Sequence, residues 1–118
     1  MEIEVCWEIT KGNAFHNYNH NWEEPVEVKK ETIPFDHLYT YIKQYVDGLD
    51  LQRKDESTFE KVMPPITNSL TIKDNQLIYY SKTEVKEGDV HLTTFDKSIA
   101  SFWLDGKEVY LYEVFGYL

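Results

Sequence analysis

Two histidines and two glutamates lie close together in one asparagine-rich segment, the densest group of potentially reactive side chains in the chain. His16 and His20 are four residues apart, so on a helical turn they would share a face. With Glu23 or Glu24 they could supply three nitrogen and oxygen ligands to zinc or another divalent ion. Asparagines disfavour that helix, however, and Asn17 follows His16 where the metalloprotease helix has glutamate. A divalent-metal site at the two histidines is therefore one hypothesis among several.

The same segment predicts a different surface if it is extended. Alternate residues of a strand point the same way, so His16, Tyr18, His20 and Trp22 would form one flat face of aromatic and imidazole rings. Tyr18 and Trp22 lie outside any periodic core pattern, and such side chains are favoured where a partner buries a surface. Three interpretations of the segment stay open: an ordinary loop, a partner- or ligand-binding surface, and a metal site.

The other reactive residue types do not form a catalytic pattern. Cys6 alternates with Glu4 and Glu8, whose charges would raise the pKa of the thiol and weaken it as a nucleophile. His37, at the start of a predicted helix, and His91, in a predicted strand, are expected to be structural. The five glycines are too dispersed for a phosphate-binding loop. We therefore assign no catalytic residue, and the divalent metal is the one cofactor considered.

The charge of the chain points to the kind of partner. There are 21 acidic and 12 basic residues, a net charge of −9, with an excess of 7 acids in residues 1–60 and of 2 in residues 61–118. This sign repels phosphate backbones and anionic lipids, so neither direct nucleic-acid binding nor membrane binding is expected. Arg53 is the single arginine of the sequence. A basic protein partner is the natural converse, and the expected contacts are Tyr18, Trp22, Glu23, Glu24, Glu27 and Glu31.

Length and composition predict one domain. A chain of 118 residues has room for a single hydrophobic core. Cys6 is the one cysteine, so no internal disulfide can form. The first residues lack a basic and apolar leader pattern, and no window is apolar enough to span a bilayer. We expect a cytoplasmic protein, and its oligomeric state is open.

One helix is predicted over residues 36–47. Asp36 offers an N-cap, and Gly48 offers a stop at the other end. The apolar residues of this region recur at helical steps of three and four: Phe35, Leu38, Tyr39, Ile42, Tyr45, Val46 and Leu49.

The rest of the chain predicts strands and loops. Ile3, Val5, Trp7 and Ile9 alternate with polar residues, as expected for a strand with one buried face. Residues 26–33 alternate again and could return antiparallel to that strand. The remaining predictions are a loop or broken hairpin at 11–25, a mobile excursion or short second helix at 50–60, strands at 70–73, 76–80, 90–95, 98–104 and 107–112, and hairpin turns at Asp74-Asn75 and Asp105-Gly106.

These elements predict an α+β fold. About six or seven antiparallel strands, with a C-terminal meander of hairpins, would carry one main helix packed on one face. The last strands are apolar on both sides, with Phe102 and Leu104 alternating with Ile99 and Trp103. Such strands are expected in the sheet centre, covered on both sides or with one face used for association.

Three functions are compatible with these patterns. The favoured one is a small acidic, non-enzymatic binding protein, an inhibitor or immunity-type protein that masks a basic and possibly nucleic-acid-binding partner. The second is a metal- or small-ligand-binding protein or enzyme centred on His16 and His20. The third is a structural or assembly subunit, such as a phage particle component, that associates through its two-faced sheet.

Overall fold

The computed structural model describes residues 1–15, 20–112 and 114, without the side chains of Phe15, His20, Asn21 and Val26. Within this part of the chain, eight strands form one antiparallel sheet with one α-helix against it. The elements are β1 (Glu2–Phe15), β2 (His20–Pro34), α1 (Leu38–Gly48, preceded by a 3-10 turn at Phe35–His37), β3 (Gln52–Arg53), β4 (Thr58–Met63), β5 (Ile66–Lys73), β6 (Gln76–Glu87), β7 (Val90–Leu104) and β8 (Lys107–Glu108). The predicted α+β class is confirmed, with more strands than expected.

The order of the strands leaves β2 at an edge of the sheet. The order is β2-β1-β7-β6-β5-β4-β3, with β8 paired to β7. Strands β4 to β7 form the predicted meander of hairpins, and α1 connects the two opposite edges, β2 and β3. An 11-residue helix is about 16 Å long whereas a 14-residue strand is about 46 Å, so the helix covers only one end of the sheet.

The core lies between α1 and this covered end. Leu38, Ile42 and Val46 recur at steps of four and are buried, as the helical pattern predicts. They pack in one cluster with helix-facing residues of the strands, which are Ile3, Val5, Trp7, Phe59, Leu70, Ile72, Leu77, Ala100 and Phe102. Leu51 and Leu111, which lie outside the strands, complete the cluster. The faces of β1 therefore follow the predicted alternation.

The ends of the helix differ from the prediction. Asp36 lies in the 3-10 turn, and no side chain caps either helical segment at its N-terminus. At the other end Asp50, not Gly48, adopts the left-handed conformation, with φ of 53°. The N–H of Leu51 donates to the carbonyl of Val46 at 3.0 Å, and the N–H of Asp50 donates to the carbonyl of Asp47 at 3.2 Å. These are the two hydrogen bonds of a Schellman motif.

Two segments predicted to be irregular contain strands. Residues 11–15 and 20–25 belong to β1 and β2, so of the two predicted alternatives for 11–25 these described residues form a hairpin and not a loop. The reason is that β7 pairs with β1 from Glu4 to Phe15 and satisfies its backbone. Residues 50–60 form neither a second helix nor an excursion. After the Schellman turn the chain pairs as β3 with β4, and β4 pairs with β5. Tertiary pairing therefore overrides the turn-favouring composition of both segments.

Two strand predictions at the C-terminal end need correction. Residues 90–95 and 98–104 form a single strand, β7. The strand predicted at 107–112 ends at Glu108, after which the N–H of Leu111 bonds the carbonyl of Asp74 at 3.1 Å. Leu111 is fully buried while Tyr110 and Tyr112 are exposed, so this segment closes the core and is not a central strand. The two predicted turns are confirmed, with positive φ at Asp74, Asp105 and Gly106.

The sheet face opposite α1 is not covered by any helix or strand in the described residues. Strand alternation places five half-buried apolar side chains on it, which we call the uncovered stripe: Ile78, Tyr80, Phe95, Ile99 and Trp103. The rings of Tyr80 and Phe95 stack at 5.4 Å. The predicted central position of residues 98–104 is confirmed, because β7 lies between β1 and β6, and the use of one face for association stays a prediction.

Candidate partner-binding edge

The free edge strand β2 carries most of the residues predicted to contact a partner. Glu27 pairs with Ile9 and Glu24 with Lys11, while Val26 has no partner on β1. Val26 is therefore the extra residue of a β-bulge. Ile9 and Lys11 point to the same face of β1, so their partners Glu27 and Glu24 do as well. In a regular strand, residues three apart would lie on opposite faces.

The bulge produces a short acidic surface. Trp22 pairs with Asn13 and joins Glu24 and Glu27 on the face that carries α1. We call these three residues the acidic edge. Trp22 is 47% exposed, and both glutamates are exposed. An exposed indole beside two carboxylates can bury apolar area and attract cations at once.

The other predicted contacts lie elsewhere. Glu23 points to the opposite face, where its Oε1 lies 3.3 Å from Nζ of Lys97. Glu31 lies on the same face as Glu27 but is held by neighbours in the structure. The hydroxyl of Tyr41 donates a hydrogen bond to its carboxylate, and Nε1 of Trp7 lies 3.3 Å from the same oxygen. Glu31 therefore holds the helix to the edge strand. Tyr18 is outside the described residues.

The predicted metal site lies outside the described part of the chain. His16 is not described, and only the backbone of His20 is. The described residues contain no group of three or more His, Cys, Asp or Glu placed to hold a metal ion. A metal site at the two histidines therefore stays a prediction.

The environment of Cys6 agrees with its predicted low reactivity. Partial burial raises the pKa of the thiol, and the hydrogen bond that Sγ donates to Glu4 Oε1 at 3.4 Å raises it further. Lys30 acts in the opposite direction with a smaller effect. A raised pKa lowers the fraction of thiolate, which is the nucleophilic form.

A cleft between α1 and the edge strand was not predicted. One cavity of about 330 Å³ is lined by Ile33, Pro34, His37, Thr40, Tyr41 and Gln44. A second of about 200 Å³, farther along β2, is lined by Trp7, Ile9, Lys29, Tyr45 and Ser98. Glu31 lies between Lys29 and Ile33 on the same side of β2, so the two cavities follow one strand. The period-two pattern at residues 26–33 predicted that Lys29, Glu31 and Ile33 share one side of a strand. The cleft itself forms because α1 lies beside that side, which the pattern does not show.

The remaining histidine and the arginine have other surroundings. His91 borders a cavity of about 460 Å³ near Pro64, Pro65 and Glu84, at the uncovered end of the sheet. The guanidinium of Arg53 lies 4.7 Å from the ring centroid of Phe59, a cation–π contact that covers a buried ring.

Comparisons with protein-family models, with curated proteins and with solved structures found no match to this chain. Among the described residues, no helix is both long and apolar enough to cross a bilayer.

Proposed function

We propose that this chain is a non-enzymatic protein-binding module, an inhibitor or immunity-type protein that masks a basic partner in the cytoplasm. The observation that carries the proposal is the alignment of Trp22, Glu24 and Glu27 on one face of a free edge strand by the bulge at Val26. Glu23, engaged with Lys97, is not part of the contact surface proposed here, and Glu31, which accepts a hydrogen bond from Tyr41, lies outside the acidic edge.

The charge distribution supports this proposal. Residues 2–34, a range that contains β1 and β2, hold seven glutamates and three lysines, a net charge of −4 out of −9 for the whole chain. Such a field accelerates association with a cationic surface, and its effect falls as salt is added. A partly exposed tryptophan at the same edge supplies the kind of anchor that dominates binding energy in protein interfaces.

The test uses charge reversal with a matched control. Glu24→Lys combined with Glu27→Lys changes the acidic edge, whereas Glu56→Lys combined with Glu87→Lys changes two exposed acids elsewhere. Each reversal adds two charges, so both double variants move the net charge from −9 to −5. The wild-type chain first captures its partner from a lysate of the source cells at low salt. Association rates of the three chains with the purified partner are then measured.

We expect the acidic-edge variant to associate about ten times more slowly and with a weaker salt dependence, and the control to stay near wild type. Trp22→Ala should instead mainly accelerate dissociation. Equal slowing by both double variants would mean that only net charge matters. Unchanged rates in the acidic-edge variant would remove this surface from the interface.

The uncovered stripe supports a second candidate function, an assembly subunit. Five half-buried apolar side chains on one sheet face form the kind of surface that oligomers bury. Light scattering after size exclusion tests this candidate, with Ile78→Lys and Ile99→Lys as variants. An oligomer that these changes dissociate supports it, and a wild-type monomer at high concentration rejects it.

A further inference from the structure

The backbone of β2 offers hydrogen-bonding groups on its outer side at known positions. The N–H of Phe35 bonds the carbonyl of Met1 at 2.9 Å, which makes this a hydrogen-bonded pair of the β1–β2 ladder. Such pairs alternate along an antiparallel ladder. In the continuous register from residue 27 to residue 34, the odd residues therefore bond to β1. The N–H and C=O groups of Val28, Lys30 and Thr32 point away from the sheet.

No strand of the described residues pairs with this outer edge, and the edge has defined ends. Val28 is 72% exposed, the side chain of Lys30 is 70% exposed, and Thr32 is exposed. Pro34 has no N–H to offer at one end. At the other end the bulge at Val26, which follows Pro25, breaks the regular register. A stretch of seven residues, 27–33, can thus accept one further strand.

The side chains of this stretch form a charge pattern beside the cleft. Glu27, Lys29, Glu31 and Ile33 lie on the face that carries α1, and Lys29 and Ile33 line the two cavities along the helix. An added strand would form non-hydrogen-bonded pairs with these four residues. Side chains approach most closely in such pairs. The side chains of an added strand would therefore contact, in order, a negative, a positive, a negative and an apolar residue of β2.

We propose that the partner supplies an extended segment that adds antiparallel to residues 27–33, along the cleft between β2 and α1. This inference rests on the proposed function and names the part of the partner that binds. Opposite charges stabilise cross-strand pairs, so the segment carries basic residues opposite Glu27 and Glu31 and an acidic residue opposite Lys29. An apolar residue lies opposite Ile33, beside the cavity that Pro34 and Tyr41 also line.

A second copy of the chain fits this edge less well. Two-fold antiparallel pairing of the whole stretch 27–33 with itself pairs Lys29 with the Glu31 of the other copy, but it leaves Glu27 opposite the apolar Ile33 and places Lys30 directly opposite the Lys30 of the other copy. Like charges in that position are destabilising. A register centred on Val28 runs into the bulge, and one centred on Thr32 runs into Pro34. A partner segment meets none of these obstacles.

The test uses synthetic peptides and the full chain. The peptide Val-Thr-Lys-Thr-Glu-Val-Lys, blocked at both ends, places its two lysines opposite Glu31 and Glu27 and its glutamate opposite Lys29. The control Val-Thr-Glu-Thr-Lys-Val-Lys has the same composition and net charge with the third and fifth residues exchanged. Affinity is measured by titration of the backbone amide signals of the ¹⁵N-labelled protein.

We expect the first peptide to bind about tenfold tighter than the control and to shift the amide signals of Val28, Lys30 and Thr32 most. N-methylation of peptide residues 2, 4 and 6, which bond these groups, should abolish binding. N-methylation of residues 3 and 5, whose N–H groups point outward, should preserve it. Thr32→Pro removes one outward donor without removing a bond to β1, so it should weaken binding and leave the fold intact.

Several results would overturn the inference. Equal affinity for the two peptides would reject the charge pattern, and unchanged signals at Val28, Lys30 and Thr32 would reject strand addition. Concentration-dependent shifts at these amides without peptide would mean that a second copy occupies the edge. The two proposals fail separately. A captured partner that depends on Glu24 and Glu27 but binds the Thr32→Pro variant unchanged overturns strand addition alone. A peptide that binds as expected, with no partner retained from the lysate, overturns the proposed function alone.

Discussion

The hydroxyl of Tyr41 on α1 donates a hydrogen bond to the carboxylate of Glu31 on the edge strand β2. Nε1 of Trp7 on β1 donates to the same hydroxyl at 2.8 Å. One short network thus joins the helix to two strands beside the cleft. The network also fixes the position of the Glu31 carboxylate on the face of β2 that carries α1.

Tyr41→Phe is expected to lower the free energy of unfolding by about 1–2 kcal/mol, because Glu31 loses a donor in a half-buried site. Urea unfolding measures the loss, with Tyr112→Phe at an exposed position as the control. The double variant with Glu31→Gln should lose less than the sum of the two single variants. Strict additivity would show that the two side chains are not coupled.

The stability of the protein should fall at alkaline pH through Tyr41. Burial, and then the bond to Glu31, raise the pKa of Tyr41 above its ordinary value of 10.0. A group whose pKa is raised on folding contributes stability below its unfolded pKa, and this contribution is lost as pH rises toward the folded pKa. The stability difference between wild type and Tyr41→Phe should therefore shrink between about pH 9 and about pH 11. A constant difference in the urea midpoints would contradict the assignment.

Asp50 should contribute stability that is lost in acid. Nζ of Lys61 lies 2.6 Å from its carboxylate, and this hydrogen bond lowers the pKa of Asp50. A carboxylate with a lowered folded pKa stabilises the protein above its unfolded pKa, and the effect disappears as pH falls through the folded pKa. Melting temperatures of wild type and Asp50→Asn should thus differ at neutral pH and converge in acid. Lys61→Met should show the same convergence, and divergence in acid would exclude the ion pair as its cause.

Gly12→Ala is expected to destabilise the fold by about 1–3 kcal/mol through overpacking. A Cβ at this position would overlap the ring of Phe95 and the carbonyl oxygen of Trp22. Gly48→Ala is the matched control, since a Cβ there meets nothing within 4 Å, and it should stabilise α1 by up to about 1 kcal/mol. Thermal unfolding of both variants tests the contrast. A stable Gly12→Ala chain would mean that Phe95 does not pack over this strand.

Deletion of Val26 should move Trp22 and Glu24 to the opposite sheet face from Glu27. The deletion removes the extra residue, so regular alternation resumes along β2. Partner affinity should fall at least as far as in the variant with both glutamates reversed, while circular dichroism stays that of the wild type. Retained affinity in a folded deletion variant would show that the alignment of these three residues is not needed.

The periodic patterns of the sequence predicted much of the structure at the end of the sheet that α1 covers. Alternation in Ile3, Val5 and Trp7 and four-residue steps in Leu38, Ile42 and Val46 predicted a strand and a helix whose buried faces are those observed. Such patterns arise from burial on one side, which every residue of the element shares, and so they are visible in the local sequence. The turns at Asp74 and Asp105 were visible for a different local reason, because aspartate tolerates the backbone that a hairpin turn requires.

The candidate site depended on pairing between distant residues. Asparagines at residues 13–21 favour turns, but β7 pairs with β1 as far as Phe15 and satisfies its backbone, so residues 13–15 continue the strand. The proline at position 25 was a signal for an irregular edge strand, since such strands and bulges tolerate it. Glu24 and Glu27 share a face because Val26 has no partner on β1 and shifts the register by one residue. No local sequence pattern shows that shift. The chain's own sequence therefore determined its acidity and its α+β class, whereas the tertiary structure decided which acidic side chains share an exposed face. Strand register and the helix position are set by contacts far apart in the chain.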